Sequence, residues 1–177
     1  MKKQFIECPE CGAVQIFDFR NFWKSCPECS NKIIDQHVKP LPALSIRQPW
    51  AWLIVRPDLE GEARVEAIKR KLVKDLENRN NLRNFTGPFL IHASIKPDFA
   101  GFYAHIWGKN EFETLDTNIP DHLDYGGIIG HAKITGYVEE SDSPWFVGKY
   151  GLLIKDAKPL PFTPCKGKLS FFKPEIE

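Results

Sequence analysis

The chain has no run of about 18 uncharged apolar residues, so an ordinary membrane-spanning helix is excluded. Nor does it open on an apolar leader, since Met1-Lys-Lys runs directly towards cysteines. Those two absences lead us to expect a soluble, cytosolic protein with no membrane partner. Net charge is almost absent too: 24 Lys+Arg against 23 Asp+Glu leave a formal +1, too little for a strong overall pull on nucleic acid. The distribution is less even, with 9 basic against 6 acidic residues from Ala43 to Asn84 and 3 against 8 from Phe85 to Glu140. That bias reads either as a basic face or as a solvated helix surface. Cysteine is absent after residue 29 apart from Cys165, which is most simply a small buried residue.

What is present starts with those early cysteines. Cys8-Pro-Glu-Cys11 and Cys26-Pro-Glu-Cys29 are two copies of one short loop, 14 residues apart. Each Cys-x-x-Cys turn aims two thiolates at one point, and two turns close a tetrahedral four-sulfur shell. A structural zinc held by Cys8, Cys11, Cys26 and Cys29 is expected, with disulfides or redox chemistry as the alternatives. Four sulfurs leave no open position for water, so such an ion folds the segment rather than catalysing. Val14, Ile16, Phe17, Phe19, Phe22 and Trp23 lie between the pairs and suggest the strands of a zinc ribbon over residues 1–38. Their excess apolar surface either packs on the rest of the chain or remains exposed for a protein partner. A chain of 177 residues with 42% hydrophobic content is long enough for one main core beyond this appendage, expected over residues 42–174.

The main segment is organised around Ala43–Trp52. Leu44 and Ile46 alternate with Ser45 and Arg47 as in a strand, and Pro49 then suits the first turn of a helix from Trp50 to Val55. This corner presents Ser45, Arg47 and Gln48 at the mouth of the core. Pro57 to Lys71 reads as an inserted, peripheral amphipathic helix with Val65, Ile68 and Leu72 at helical spacing. Lys74 to Arg79 is extended, and alternation sets Glu77 and Arg79 on one face with Lys74 opposite unless a bulge intervenes. A plain surface salt bridge is the alternative for Glu77 and Arg79. Pro88 to Lys96 is a strand with His92 and Ser94 on one face, where a histidine is either a satisfied structural residue or a ligand. Asp98 to Trp107 is an amphipathic helix whose Phe99, Phe102, Tyr103 and Ile106 point to a core. Gly126, Gly127, Gly130 and Gly136 mark bends that let a long strand from Gly127 to Val138 curl. Ser143-Pro-Trp-Phe carries two rings that either pack or form a stacking platform, and further strands cover Gly151 to Ile154 and Lys168 to Phe172. The fold class is therefore α+β, a partly closed β-barrel with helical covers preceded by a small zinc ribbon.

Leu44-Ser-Ile-Arg-Gln-Pro-Trp-Ala51 resembles the opening motif of the ASCH domains, the activating-signal-cointegrator homology family, whose fold is similar to the PUA barrel. Lys74-Asp-Leu-Glu-Asn-Arg79, Gly87-Pro-Phe-Leu-Ile-His-Ala-Ser94, Gly127-Ile-Ile-Gly-His-Ala132 and Ser143-Pro-Trp-Phe-Val-Gly-Lys-Tyr-Gly151 are similar to later family segments and occur in family order. The resemblance runs from about Pro42 to Phe172. The chain departs from the family in the 57–71 insertion and in Leu72 where a glycine is usual. The resemblance implies a PUA-like barrel that binds RNA or a modified nucleotide. Ser45, Arg47, Gln48, Trp50, Lys74, Glu77, Arg79, His92, Ser94 and Trp145 are the candidate ligand-binding residues, with Trp145 stacking on a base and Lys74 and Arg47 meeting phosphate. Some relatives are small amidohydrolases acting on N4-acetylcytidine, with a Lys-x-x-Thr arrangement, and others are ribonucleases. An enzyme reading would draw on Lys74, Glu77 and Ser143, with Glu77 standing where those relatives have threonine and Ser143 offering a hydroxyl from elsewhere. A protein-interaction adaptor using the ribbon is the third reading.

Overall fold

The computed structural model describes residues 3–18, 24–33, 39–81, 84–108 and 119–176. Phe19, Phe22, Trp23, the linker residues Gln36 to Val38 and most of the acidic stretch from Asn110 lie outside the described residues.

The N-terminal segment is two short antiparallel hairpins. β1 (Gln4–Glu7) pairs with β2 (Val14–Phe17), and β3 (Lys24–Ser25) pairs with β4 (Lys32–Ile33). Its apolar residues face two ways. Ile6 and Phe17 are buried with Cys8 and Cys26, whereas Phe5 and Val14 pack with Leu41, Leu90, Ile128, Phe172 and Ile176 of the main sheet. The Leu41 N–H donating to the Phe5 carbonyl at 2.9 Å adds a backbone link, so this apolar face packs on the main core.

The rest is α+β. β5 (Ala43–Ile46), β6 (Leu76–Arg79), β7 (Gly87–Ala93), β8 (Gly127–Val138), β9 (Tyr150–Pro164) and β10 (Phe171–Phe172) form a six-stranded sheet in the order β10-β5-β7-β8-β9-β6. Only β5 and β7 run parallel among these pairings. Helix α1 (Trp50–Val55) packs on the sheet through Ala51, Ile54 and Val55, while Phe102 of α3 (Phe99–Gly108) packs with Trp52 and Leu53 of α1 and α2 (Gly61–Lys69) buries only Ala67. The register of β8 on β9 shifts three times, between Ile128 and Gly130, His131 and Lys133, and Ile134 and Gly136, and each shift bends the pair. At Gly130 a side chain would sit 2.6 Å from the Lys158 carbonyl and 2.8 Å from Val55, so its absence lets α1 press onto the sheet.

The curl brings the two sheet margins together. Pro42 and Ile46 carbonyls accept from Leu90 of β7 and from Ser94 just beyond its end, so strand alternation turns the Ser45 carbonyl the other way. β10 reaches only Ala43 and Leu44, leaving that carbonyl without a sheet partner. Arg79, at the end of β6, donates Nη2–H to it at 3.1 Å and bridges the seam. Inside, Leu44, Ile46, Phe89, Ile91, Ala132, Ile134, Leu152 and Ile154 pack against Ala51, Ile54 and Val55 of α1.

The insertion lies at the periphery, with Val65 and Ile68 exposed, and is tethered there by Arg64, which donates to the carbonyls of Val55 (2.7 Å) and Ala157 (2.7 Å). Two expectations change. In α3 only Phe102 is fully buried; Tyr103 and Trp107 lie outside, stacked on each other at 5.4 Å. The last strand contracts to Phe171–Phe172, and β9 extends to Pro164 because it follows β8 along its length.

Candidate functional site

The two Cys-x-x-Cys loops fold alike. The Cys8 N–H donates to Ala13 O and Gly12 N–H to Cys8 O; Cys26 N–H donates to Asn31 O and Ser30 N–H to Cys26 O, all at 2.8–2.9 Å. Cys8 Sγ lies 3.7 Å from Cys29 Sγ, Cys11 Sγ 3.6 Å from Cys26 Sγ, and all four sulfurs lie within 4.8 Å of one another. Sulfurs about 2.3 Å from a central ion sit about 3.8 Å apart at tetrahedral corners, whereas a disulfide needs about 2.05 Å. No disulfide joins these cysteines, and the cluster has the dimensions to hold a metal ion. Backbone N–H groups of Cys11 and Glu10 favour the Cys8 thiolate and hold its thiol at about 7.

The second constellation is a cleft of about 890 Å³ above the seam, lined among others by Ser45, Arg47, Trp50, Lys74, Glu77, Arg79, Ser94, Lys96, Asp98 and His105. Four basic side chains meet two acidic ones here, against a formal +1 for the whole chain. Glu77 organises the floor: Oε2 is 2.8 Å from Lys74 Nζ and Oε1 is 3.1 Å from Arg79 Nη2. Lys74 precedes β6, so strand alternation does not bind it, and its ammonium folds back to Glu77 and the Leu76 carbonyl. It is 2% exposed and lies 5.8 Å from the Trp50 ring centroid, a cation over an aromatic ring. Arg47 and Lys96 are exposed at the rim.

Trp50 is oriented by its Nε1–H, which donates to Asp98 Oδ2 at 3.2 Å, while Asp98 Oδ1 accepts from the Gly101 N–H at the start of α3. Asp98, Lys96 and His105 were not singled out from the sequence. Asp98 was legible only as a helix-start residue, and its grip on Trp50 depends on a contact 48 residues away.

The structure thus brings together Ser45, Arg47, Trp50, Lys74, Glu77, Arg79 and Ser94. Four expected members are placed elsewhere. Trp145 is 1% exposed, packs with Trp52, Leu53, Leu76 and Phe102, and donates Nε1–H to the Lys71 carbonyl at 2.9 Å, so its face is closed to stacking by a ligand. Ser143 is buried outside the cleft; its hydroxyl donates to Asp75 Oδ1 at 2.6 Å and accepts from the Trp145 N–H, which makes it a loop fastener rather than a nucleophile. Gln48 is 1% exposed and satisfied at both ends, Nε2–H donating to Asp124 O and Oε1 accepting from Trp52 N–H, a role in starting α1. His92 is also 1% exposed and faces Ser45 and the Cys165 carbonyl rather than the cleft.

No helix among the described residues is long and apolar enough to cross a membrane. The sequence matches no family model, and comparison with curated proteins yields no match.

Proposed function

We propose that this chain binds RNA or a modified nucleotide in the cleft between α1, β6 and α3, on a PUA-like barrel of the ASCH kind, with zinc in the N-terminal cysteine cluster. The observation that carries this reading is the gathering of Arg47, Lys74, Arg79 and Lys96 into one cavity of a chain that is otherwise nearly neutral. Two of these, Arg47 and Lys96, are exposed and free to meet phosphate, whereas Lys74 is committed to Glu77 and sets the charge of the floor. Trp50, with Trp145 buried, takes over as the aromatic member of the site. The order of motifs from Leu44 to Gly151 supports the same family reading. Four clustered, unbridged cysteines suit zinc and a reducing compartment, and we infer a cytoplasmic protein.

Fluorescence anisotropy with a labelled single-stranded RNA at several salt concentrations tests the proposal. Binding should weaken with salt by about 0.7 in the log–log slope for each phosphate neutralised. Arg47→Ala and Lys96→Ala should each lower that slope by roughly one contact whatever the sequence. Affinity that is absent, or independent of salt, would refute the reading. The same samples, followed for conversion of N4-acetylcytidine or cleavage of the RNA, test the hydrolase reading, which has lost Ser143 as its hydroxyl.

A further inference from the structure

Arg79 is a wall between two cavities. In front is the basic cleft; behind, also bordered by Asn80, lies a hollow of about 270 Å³ at the seam between β5, β10 and β6. Its lining differs from that of the cleft: Leu44, Leu152 and Phe171 are apolar, and Asn81 and Ser170 are the neutral polar residues beside them. Phe171 is held by Phe85, 4.5 Å between ring centroids, and by an edge contact with Phe89. The guanidinium is equally fixed. Its Nη2 donates to the Ser45 carbonyl at 3.1 Å and is ion-paired with Glu77 Oε1 at 3.1 Å, while its Nε–H is buried with no acceptor among the described residues.

We propose that this hollow is a subsite for one unstacked base of the RNA, whose acceptor edge meets Arg79, while the phosphate chain runs through the larger cleft. The proposal rests on the RNA-binding reading above and adds to it the place where base identity is sensed. Size selects the ligand first: about 270 Å³ falls near the lower end of small-ligand pockets, roughly 300 Å³, and so admits a single ring system rather than a strand. Polarity selects it next. A phosphate set against Leu44, Leu152 and Phe171 would be desolvated on one side, whereas a heterocycle has apolar faces for those residues and a polar rim for Arg79, Asn81 and Ser170. A base carbonyl or ring nitrogen is the acceptor suited to the guanidinium that borders the hollow.

The test compares a labelled single-stranded octaribonucleotide with a ribose–phosphate strand of equal length that carries no bases, by anisotropy at fixed salt. The wild-type protein should prefer the base-bearing strand by about tenfold. Asn81→Trp, made at an exposed position so that the ring fills the mouth of the hollow, should remove most of the preference for the base-bearing strand and leave the salt slope unchanged. Equal wild-type affinity for the two strands would overturn the subsite while leaving phosphate binding in the cleft intact, and that comparison needs no variant to fold. Retention of the preference in a folded Asn81→Trp protein would also overturn it. Failure to bind either strand would refute the RNA reading and this inference with it.

Discussion

Ser45 Oγ lies 3.2 Å from His92 Nδ1, across the parallel β5–β7 register that sets these two residues side by side. The Cys165 carbonyl, 3.1 Å from His92 Nε2, can only accept, so Nε2 carries the proton of the neutral ring, and the single Ser45 hydroxyl proton has two acceptors within reach, His92 Nδ1 and the Lys168 carbonyl at 3.0 Å. Burial lowers the His92 pKa below its ordinary 6.5.

Stability should therefore depend on this ring in mildly acidic solution. Below about pH 6.5 the unfolded chain takes up a proton that folded His92 refuses, so stability is intact above that value and falls as pH drops towards the folded pKa. His131, also lowered by burial and then by Lys158, acts with the same sign. Urea midpoints measured from pH 8 to pH 5 should decline in the wild type and decline less in His92→Gln. Identical profiles would mean that the imidazole does not sense folding.

Removing Glu77 should unfold rather than merely retune the cleft. Glu77→Gln leaves the ammonium of Lys74, 2% exposed, without its counter-charge, a loss of about 3–5 kcal/mol. Adding Lys74→Met should recover part of it, because the stranded charge is then gone. Denaturant titration of the two single variants and the double variant measures this coupling.

Trp145→Ala should cost about 3–5 kcal/mol of stability through the cavity left among Trp52, Leu53, Leu76 and Phe102. Affinity per folded molecule should stay within about twofold of wild type, since the ring has no surface to offer a ligand, and a direct stacking role would cost about 1–3 kcal/mol of binding instead. Thermal melts run beside the anisotropy assay separate the two outcomes.

The cysteine cluster should bring down one divalent ion per chain, zinc by proposal, with Cys8, Cys11, Cys26 and Cys29 as ligands. Cys26→Ser or chelation should lower the melting temperature of the whole chain and not of the hairpins alone, because Phe5 and Val14 share a cluster with Leu90 and Ile128. Metal-free protein from elemental analysis, or an unchanged melt after chelation, would count against it.

The insertion supplies a fifth test. Arg64→Ala removes donors from the buried-side carbonyls of Val55 and Ala157 and should destabilise by about 1–3 kcal/mol, whereas Val65→Ala and Ile68→Ala, both exposed, should be nearly silent.

Much of this was legible because it is local. Repeated Cys-x-x-Cys spacing announces its cluster, Pro49 announces α1, and the glycines of β8 coincide with two of the residues where its register shifts. Side chains in loops were not, since no periodicity fixes where they point. Trp145 and Ser143 are turned inwards by Lys71 and Asp75, 74 and 68 residues distant, and the partner of His92 proved to be Ser45 rather than the adjacent Ser94. The hollow behind Arg79 was invisible for the same reason, being assembled from β5, β6, β9 and β10 at once.

Synthesis runs from the hairpins to β10, and the sheet order does not follow it. β5 is made early yet lies between β7 and β10, with Leu44 opposite Ile91 on one side and Phe171 on the other. Lys3 likewise bridges to Ile176. A nascent chain must therefore keep Leu44 and Ala43 unpaired on one edge, and Phe5 partly uncovered, until Phe171–Ile176 leave the ribosome exit tunnel. Such long-range pairings slow folding and expose strand edges meanwhile, so the sheet closes only once β10 is available to cover β5.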